Sequence, residues 1–170
     1  MKSTLAGLIV VAGVAAACGG APAKPAAPAM NVDSMRAAIV ATGAKFDSIL
    51  EHKDAAGLAG LYAGDATWLL PDGSQFVGHD AILAGATAFF KSFDSVRTQP
   101  MQINAFFPVD STDVVVFAQV PYTLYEKGKK PSSHINYFAT HFVKSNGTWL
   151  AHHDYNIDAT VKDSTTAKKP

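Results

Sequence analysis

Cysteine is almost absent from this chain of 170 residues, which contains only Cys18. A single cysteine excludes an intramolecular disulfide framework and any zinc site built from cysteines. An excess of one charge is also missing, since 14 lysines and arginines balance 14 aspartates and glutamates. Because such a surface has no basic field to hold a polyphosphate, we expect no nucleic-acid partner.

The apolar run near the N terminus is too short to span a bilayer as a helix, which needs about 20 residues. It extends over 13 residues, from Leu5 to Ala17, and follows the positive charge of Lys2. A basic start, a short apolar core and small residues at its end are typical of a secretory signal peptide. We therefore predict that residues 1–17 are a signal peptide.

Residues 15–19, Ala-Ala-Ala-Cys-Gly, resemble the lipobox of bacterial lipoproteins. The resemblance implies that Cys18 is acylated, becomes the mature N terminus and anchors the protein in the cell envelope. Since Gly19 and not aspartate follows the cysteine, it implies the periplasmic side of the outer membrane, rather than the inner one, in a cell with two membranes. The alternative is an ordinary cleaved signal in which Cys18 is incidental. An exported, unpaired cysteine with no other role favours the lipid anchor.

Proline and alanine dominate residues 18–30, which we predict to be a semi-extended linker between the membrane and the folded part. Residues 159–170 are polar and are predicted to be a disordered tail. The folded domain is therefore predicted over residues 31–158. The chain's hydrophobic content of 48% is ample for a packed core.

The folded part changes its periodicity from helical to strand-like along the chain. Apolar residues recur at helical spacing from Met35 to Leu50 and again from Ile82 to Phe93. From residue 101 onward apolar residues alternate with polar ones, and Asn146-Gly147 indicates a two-residue hairpin turn. Helices that precede a run of antiparallel strands and pack on one face of the sheet predict an α+β domain.

A family resemblance is carried by three segments, residues 61–73, 76–82 and 141–154. The first of them reads Leu-Tyr-Ala-Gly-Asp-Ala-Thr-Trp-Leu-Leu-Pro-Asp-Gly. They resemble the SnoaL-like group of the nuclear transport factor 2-like superfamily, which includes ketosteroid isomerases and polyketide cyclases. The resemblance implies a cone-like fold, in which a strongly curved, mainly antiparallel sheet wraps around the first helix and leaves a pocket. It also implies a homodimer. The fold hosts many functions, so the function has to be argued from the pocket.

The acid and base of ketosteroid isomerase are missing from the matching positions. That enzyme combines an aspartate base with a tyrosine and a protonated aspartate as oxyanion donors. Its base precedes a proline, where this chain has Leu70. Its helix tyrosine falls on Phe46, and its second acid falls on Ile135 or Asn136. Because leucine takes no proton and phenylalanine donates none, isomerisation by that machinery is not expected.

The hairpin register predicts which side chains share the pocket. If Ser145 pairs with Thr148, one face of the last two strands carries the aromatic and polar groups suited to a pocket. These are Asn136, Phe138, Thr140, Phe142, Ala151, His153 and Tyr155, with Phe46, Trp68, Leu70 and Phe90 completing an apolar wall. Asp154 falls on the opposite face in this register, whereas one bulged residue would exchange the faces of one strand.

A pocket of this composition suits a small, mostly apolar ligand with one or two hydrogen-bonding groups. We therefore predict an envelope protein that binds such a molecule without catalysis and without a cofactor. A first alternative is a lyase or isomerase that uses His153 with Tyr155 for proton transfer. A second is a dimerisation or partner-protein module that uses a sheet face.

A metal site is not predicted from the histidines, although one pair lies at chelating distance in the expected register. His141 and His152 would lie directly across from each other, with Asp154 two residues along. The adjacent His152 and His153 would point to opposite faces of a regular strand, so they would not share one site. Two histidines without supporting groups are explained more simply as exposed polar pairs.

Overall fold

Helices cover one face of a curved, mixed sheet of seven strands in the computed structural model, which describes residues 30–161. The predicted signal peptide, Cys18 and nearly all of the linker lie outside the described residues, as do residues 162–170 of the tail. Within this range no helix is long and apolar enough to cross a membrane. The elements are α1 (Val32–His52), α2 (Ala55–Ala59), β1 (Tyr62–Leu69), β2 (Gln75–Val77), α3 (His79–Lys91), β3 (Ser95–Thr98), β4 (Gln102–Pro108), β5 (Asp113–Tyr125), β6 (Ser132–Ser145) and β7 (Thr148–Thr160).

The sheet has the strand order β2-β1-β7-β6-β5-β3, and β4 also pairs with β5. All of these pairings are antiparallel except the one between β1 and β7, which is parallel. The α+β class predicted from the sequence is therefore confirmed, with one parallel pair added. One predicted boundary is wrong, because Ala159 and Thr160, assigned to the polar tail, complete β7 and pair with β6.

Helix α1 packs one face against the sheet. Its buried residues Met35, Ile39, Gly43 and Leu50 recur at the spacing of an amphipathic helix. The side chain of Asn31 caps its first turn by accepting a hydrogen bond from the backbone N–H of Ser34 at 3.0 Å. A Cβ at position 43 would lie 2.7 Å from the Cε of Met101, so any larger residue there would require this flexible side chain to move. The side chain of Met101 therefore packs directly against the backbone of α1 at Gly43.

The β6–β7 hairpin begins in the predicted register and then changes it. Asn146 and Gly147 both have positive φ, as a two-residue type I′ turn requires, and Ser145 pairs with Thr148. Regular pairing continues as far as Phe142 opposite Ala151, but His141 then pairs with His153. His152 has no partner residue on β6 and forms a β-bulge. The uninterrupted register expected from the sequence is therefore wrong beyond residue 151.

The core fills the space between the helices and the covered sheet face. It combines residues of α1, α2 and α3 with the inward side chains of β1, β5 and β6. The largest of its completely buried side chains are Ile39, Leu58, Ile82, Val114, Val116 and Val120. One end of the space is not filled by side chains, and the candidate site lies there.

Candidate functional site

A cavity of about 180 Å³ lies between α1, α2 and the covered face of the sheet. An engineered cavity of about 150 Å³ holds benzene, so this space fits a ligand of about one substituted ring. Its walls are mostly apolar and come from every layer of the fold: Phe46, Leu50, Leu58, Leu61, Trp68, Leu70, Phe89, Val96, Met101, Val120, Phe138 and Phe142. A ligand bound here exchanges water for hydrocarbon over most of its surface.

Asp154 is the central polar group of the cavity lining. Its carboxylate accepts a hydrogen bond from the hydroxyl of Tyr62 at 2.7 Å and another from the hydroxyl of Thr140 at 2.5 Å. The side-chain amide of Asn156 donates a third at 2.9 Å, and its oxygen accepts one from Asn136 at 2.8 Å. Tyr62 and Thr140 are almost completely buried, so the network is fixed from the protein side.

Burial dominates the electrostatics of this network. Loss of water raises the pKa of Asp154 above its usual value, although the hydrogen bonds from Thr140, Tyr62 and Asn156 act in the opposite direction. Burial and the neighbouring carboxylate also raise the pKa of Tyr62 well above its usual value, so it remains a donor. The cavity thus contains a carboxyl group whose protonated form is favoured more than in water.

A second carboxylate of the cavity lining, Asp158, lies four residues further along the same strand. It accepts a hydrogen bond from the hydroxyl of Tyr122 at 2.7 Å, and its other oxygen lies 3.1 Å from Nδ1 of His134. The imidazole of His134 stacks on the ring of Tyr122, and its Nε2 lies 2.9 Å from Oγ of Ser132. Burial, followed by the contact with Asp158, raises the pKa of Tyr122.

The two residues predicted to be catalytic do not face the cavity. The bulge at His152 shifts the alternation of β7 by one residue, so that Asp154, Asn156 and Asp158 line the cavity. His153 and Tyr155 consequently lie on the outer face and are exposed. The expected placement of Asp154 on the opposite face is wrong for the same reason. The cavity lining therefore contains two carboxylates, those of Asp154 and Asp158, whereas the register expected from the sequence places none there.

Most of the other residues assigned to the pocket do line the cavity. These are Phe46, Trp68, Leu70, Asn136, Phe138, Thr140, Phe142 and Ala151. The exception is Phe90, which is buried in the core among the phenylalanines of α3, whereas the preceding Phe89 reaches the cavity. Leu70 and Phe46 both contribute hydrocarbon, so the positions that match the isomerase base and tyrosine carry no titrating group.

Sequence reasoning missed six polar residues of the cavity lining: Thr42, Tyr62, Tyr122, Asp154, Asn156 and Asp158. Tyr62 is typical of a core position, and it does lie in the core while its hydroxyl reaches the carboxylate. The useful signal was the alternation Asp154-Tyr155-Asn156-Ile157-Asp158, in which acid and amide side chains occupy every second position. On a strand that alternation places three polar groups on one face.

The chain belongs to the SnoaL-like domain family, whose model matches residues 44–152. That match confirms the family resemblance seen in the sequence. The residues that it spans include the first six strands, the start of β7 and most of the cavity wall. No protein of curated function matches the sequence significantly.

Solved structures with low sequence identity share the fold. The hexachlorocyclohexane dehydrochlorinase LinA-type3 from Novosphingobium barchaimii is 13% identical, with a TM-score of 0.65 over 82% of this chain and 97% of that chain. A ketosteroid isomerase-like protein from Erwinia carotovora atroseptica is 16% identical, with a TM-score of 0.59 over 75% and 96%. A conserved protein from Planctomyces limnophilus is 15% identical, with a TM-score of 0.66 over 76% and 99%. At these identities the likeness concerns the fold.

The raised pKa of Asp154 predicts a specific pH dependence of stability. Asp154→Asn keeps the shape of the side chain, since its amide oxygen can accept from Tyr62 while its NH₂ group donates to the hydroxyl of Thr140. The folded wild type holds the Asp154 proton more tightly than the unfolded chain does. We therefore expect the free energy of unfolding of the wild type, relative to the variant, to fall as pH rises from the ordinary value of 3.8 through the raised folded pKa.

Urea unfolding of both proteins at a series of pH values from about 4 to 8 measures this difference, because all other titrating groups cancel between them. A difference that stays constant, or that grows with pH, would contradict the raised pKa. Asp110→Asn is a control of opposite sign, since hydrogen bonds from the backbone and side chain of Thr112 lower the pKa of Asp110, and the corresponding difference should not fall as pH rises.

Proposed function

We propose that this chain binds a small, mostly apolar molecule with one polar group in the cavity, and that Asp154 exchanges a proton with it. The reaction type is a lyase or isomerase reaction, because both need a proton removed from or delivered to carbon. The observation that carries the proposal is the carboxylate of Asp154 among apolar walls, where burial raises its pKa. This group replaces His153, to which the sequence pattern assigns the proton transfer.

The hydrogen bonds of Asp154 leave room for a ligand. A carboxylate has about four acceptor positions on its two oxygens. Tyr62, Thr140 and Asn156 use three of them. One position therefore remains for a hydrogen of the ligand, while the three donors prevent rotation of the carboxylate. A fixed acceptor in a site from which water is largely excluded needs little reorganisation when the proton moves.

The names of structurally similar proteins support the same chemistry. A dehydrochlorinase removes hydrogen and chlorine from its substrate, and ketosteroid isomerase, which the second protein is named as resembling, moves a hydrogen within one. Both reactions require a base close to an apolar substrate, which is the arrangement around Asp154. These proteins share the fold with the chain at 13% and 16% identity, so they support a reaction type and no particular substrate.

Uptake of deuterium tests the proton exchange with any compound that the cavity accepts. The protein is incubated in D₂O with a panel of small cyclic ketones, phenols and chlorinated hydrocarbons, and each compound is examined by mass spectrometry. We expect the wild type to bind at least one class and to exchange a carbon-bound hydrogen. Asp154→Asn should lower the exchange rate by about 10²- to 10⁴-fold, the usual contribution of a positioned acid or base.

The control variant is again Asp110→Asn, which should exchange at the wild-type rate. Binding of a compound with no exchange in any protein would support the ligand-binding part and overturn the proton transfer. Equal exchange by the wild type and Asp154→Asn would place the reacting group elsewhere, and Asp158→Asn then tests the second carboxylate of the cavity. Failure of every compound to bind or to raise the unfolding temperature would overturn the proposal as a whole.

We also propose that the folded domain is held at the cell envelope by acyl chains on Cys18, as the lipobox resemblance implies. A bacterial host grown with a labelled fatty acid should incorporate the label into the wild type, which should fractionate with membranes. Cys18→Ser should lose the label and appear in the soluble periplasmic fraction, because its anchor is missing. Label-free wild-type protein in the soluble fraction would contradict the anchor and support an ordinary cleaved signal.

A second copy of the chain is proposed to cover the outer face of the sheet. Five large apolar side chains on β4, β5, β6 and β7 are exposed there: Phe107, Phe117, Tyr137, Tyr155 and Ile157. The rings of Phe107 and Phe117 lie 5.9 Å apart, so part of this patch is continuous. Monomeric proteins rarely leave large contiguous apolar patches in water, and a chain of net charge zero does not repel its own copy.

Light scattering at several concentrations measures the association. We expect a mass of two chains for the wild type and of one chain for Phe117→Lys, because a charge in the middle of the patch cannot be desolvated cheaply. Val40→Lys is the matched control, since Val40 is also exposed but lies on α1, which covers the opposite face of the sheet. A wild type that remains monomeric at all concentrations would contradict the dimer.

A further inference from the structure

Three histidines come together on the outer face of the sheet, on the side opposite to the cavity. His141 of β6 and His152 and His153 of β7 each offer one ring nitrogen, and these nitrogens all lie within 4.8 Å of one another. The ring centroids of His152 and His153 are 4.2 Å apart, and they lie 5.7 and 5.9 Å from the centroid of His141. No other group of this kind occurs within residues 30–161.

The β-bulge is what makes the cluster possible. Neighbouring residues of a regular strand point to opposite faces, so His152 and His153 would be separated by the sheet. Because His152 is the extra residue of the bulge, His153 pairs with His141 and all three rings lie on one face. The backbone of a paired hairpin holds them there, so little order has to be gained when a ligand binds.

A carboxylate is hydrogen-bonded to one of the three rings, and another lies at ion-pair distance from a second. Nε2 of His141 lies 3.0 Å from Oδ1 of Asp113, and Nε2 of His152 lies 3.4 Å from Oδ1 of Asp65. A carboxylate on one ring nitrogen orients the imidazole and strengthens the other nitrogen as a metal ligand. Nδ1 of His152 is that other nitrogen, and it is buried without a hydrogen-bond partner among the described residues.

We infer that His141, His152 and His153 bind one divalent transition-metal ion, Zn²⁺ or Cu²⁺, through three imidazole nitrogens. Imidazole suits both ions, and the order of stability for divalent metals favours Cu²⁺. A tetrahedral ion with Zn–N distances of about 2.0–2.1 Å holds its ligand nitrogens about 3.3 Å apart. The rings therefore have to approach by at most about 1.5 Å, which rotation of partly exposed side chains allows.

In the monomer the site is open at its remaining coordination position, because His141 and His152 are only partly buried and His153 is exposed. In the proposed dimer it borders the interface, since Tyr155 lies two residues along β7 from His153. Water completes the coordination of the ion there. Asp154 follows His153 in the chain but lies on the other face of the sheet, in the cavity. The metal site and the cavity therefore do not share a ligand, and loss of one leaves the chemistry of the other in place.

Metal titration of the untagged full chain tests the site. The chain is used in a Cys18→Ser background, because a free thiol would bind the same ions. After treatment with a chelator, calorimetry with Zn²⁺ and electron paramagnetic resonance with Cu²⁺ are expected to show one ion per chain, with nitrogen hyperfine structure for Cu²⁺. His153→Gln and His141→Gln should each weaken binding at least tenfold, and Asp113→Asn should weaken it about tenfold through its support of His141.

Matched controls use histidines outside the cluster. His52→Gln and His79→Gln alter exposed side chains and should bind the metal as tightly as the unsubstituted chain. Unchanged affinity in both His141→Gln and His153→Gln, or no saturable binding at one ion per chain, would overturn the inference. Thermal unfolding gives a second readout, since Zn²⁺ should raise the unfolding temperature of the control variants more than that of His153→Gln. Circular dichroism without metal establishes that each variant is folded.

Discussion

A single extra residue in strand β7 determines what each face of the sheet presents. His152 has no pairing partner on β6, so the alternation of β7 is shifted by one residue beyond it. On the covered side the shift turns Asp154 towards the cavity, and on the other side it gathers three imidazole rings. A regular hairpin would instead place His153 in the cavity and Asp154 outside. The chemistry available to the fold thus depends on one local irregularity of the backbone.

The cavity combines mostly apolar walls with two carboxylates, those of Asp154 and Asp158. Hydrocarbon on most sides lowers the local dielectric and disfavours a bare charge, which is why the pKa of Asp154 is raised. Donors from β1, β6 and β7 offset part of that cost by satisfying the oxygens of the carboxylate. A carboxylate in such a position is costly for stability unless its oxygens are hydrogen-bonded, and here three donors from three different strands bond them.

The fold could be predicted well from the sequence, and the site only in part. Helical spacing, the strand alternation and Asn146-Gly147 were sufficient for the α+β class and for the first part of the hairpin register. The apolar wall was also recognisable, because Phe46, Trp68 and Leu70 fall on faces set by regular helix or strand periods. Phe90 was misplaced by a single position on α3, where its neighbour Phe89 turns towards the cavity.

The polar part of the site could not be predicted, because it depends on long-range geometry. A bulge has no strong local signature, yet it reverses the side to which every following side chain points. Likewise Tyr62 is indistinguishable from an ordinary core residue until β1 is known to lie beside β7.

The parallel pairing of β1 with β7 has a consequence for how the molecule is assembled. β1 and β2 join the other strands of the sheet only through β7, and the bond between Tyr62 and Asp154 connects positions 92 residues apart. Because Asp154 lies in the last strand, this contact cannot form until nearly the whole domain has been synthesised, and closure of so long a loop is also slow. Strands β3 to β6 can pair with their antiparallel neighbours earlier. The hydrogen-bond network of Asp154 forms only when β7 pairs with β6 and β1. A nascent chain therefore lacks the hydrogen bond between Tyr62 and Asp154 until β7 has been synthesised and has paired with β1.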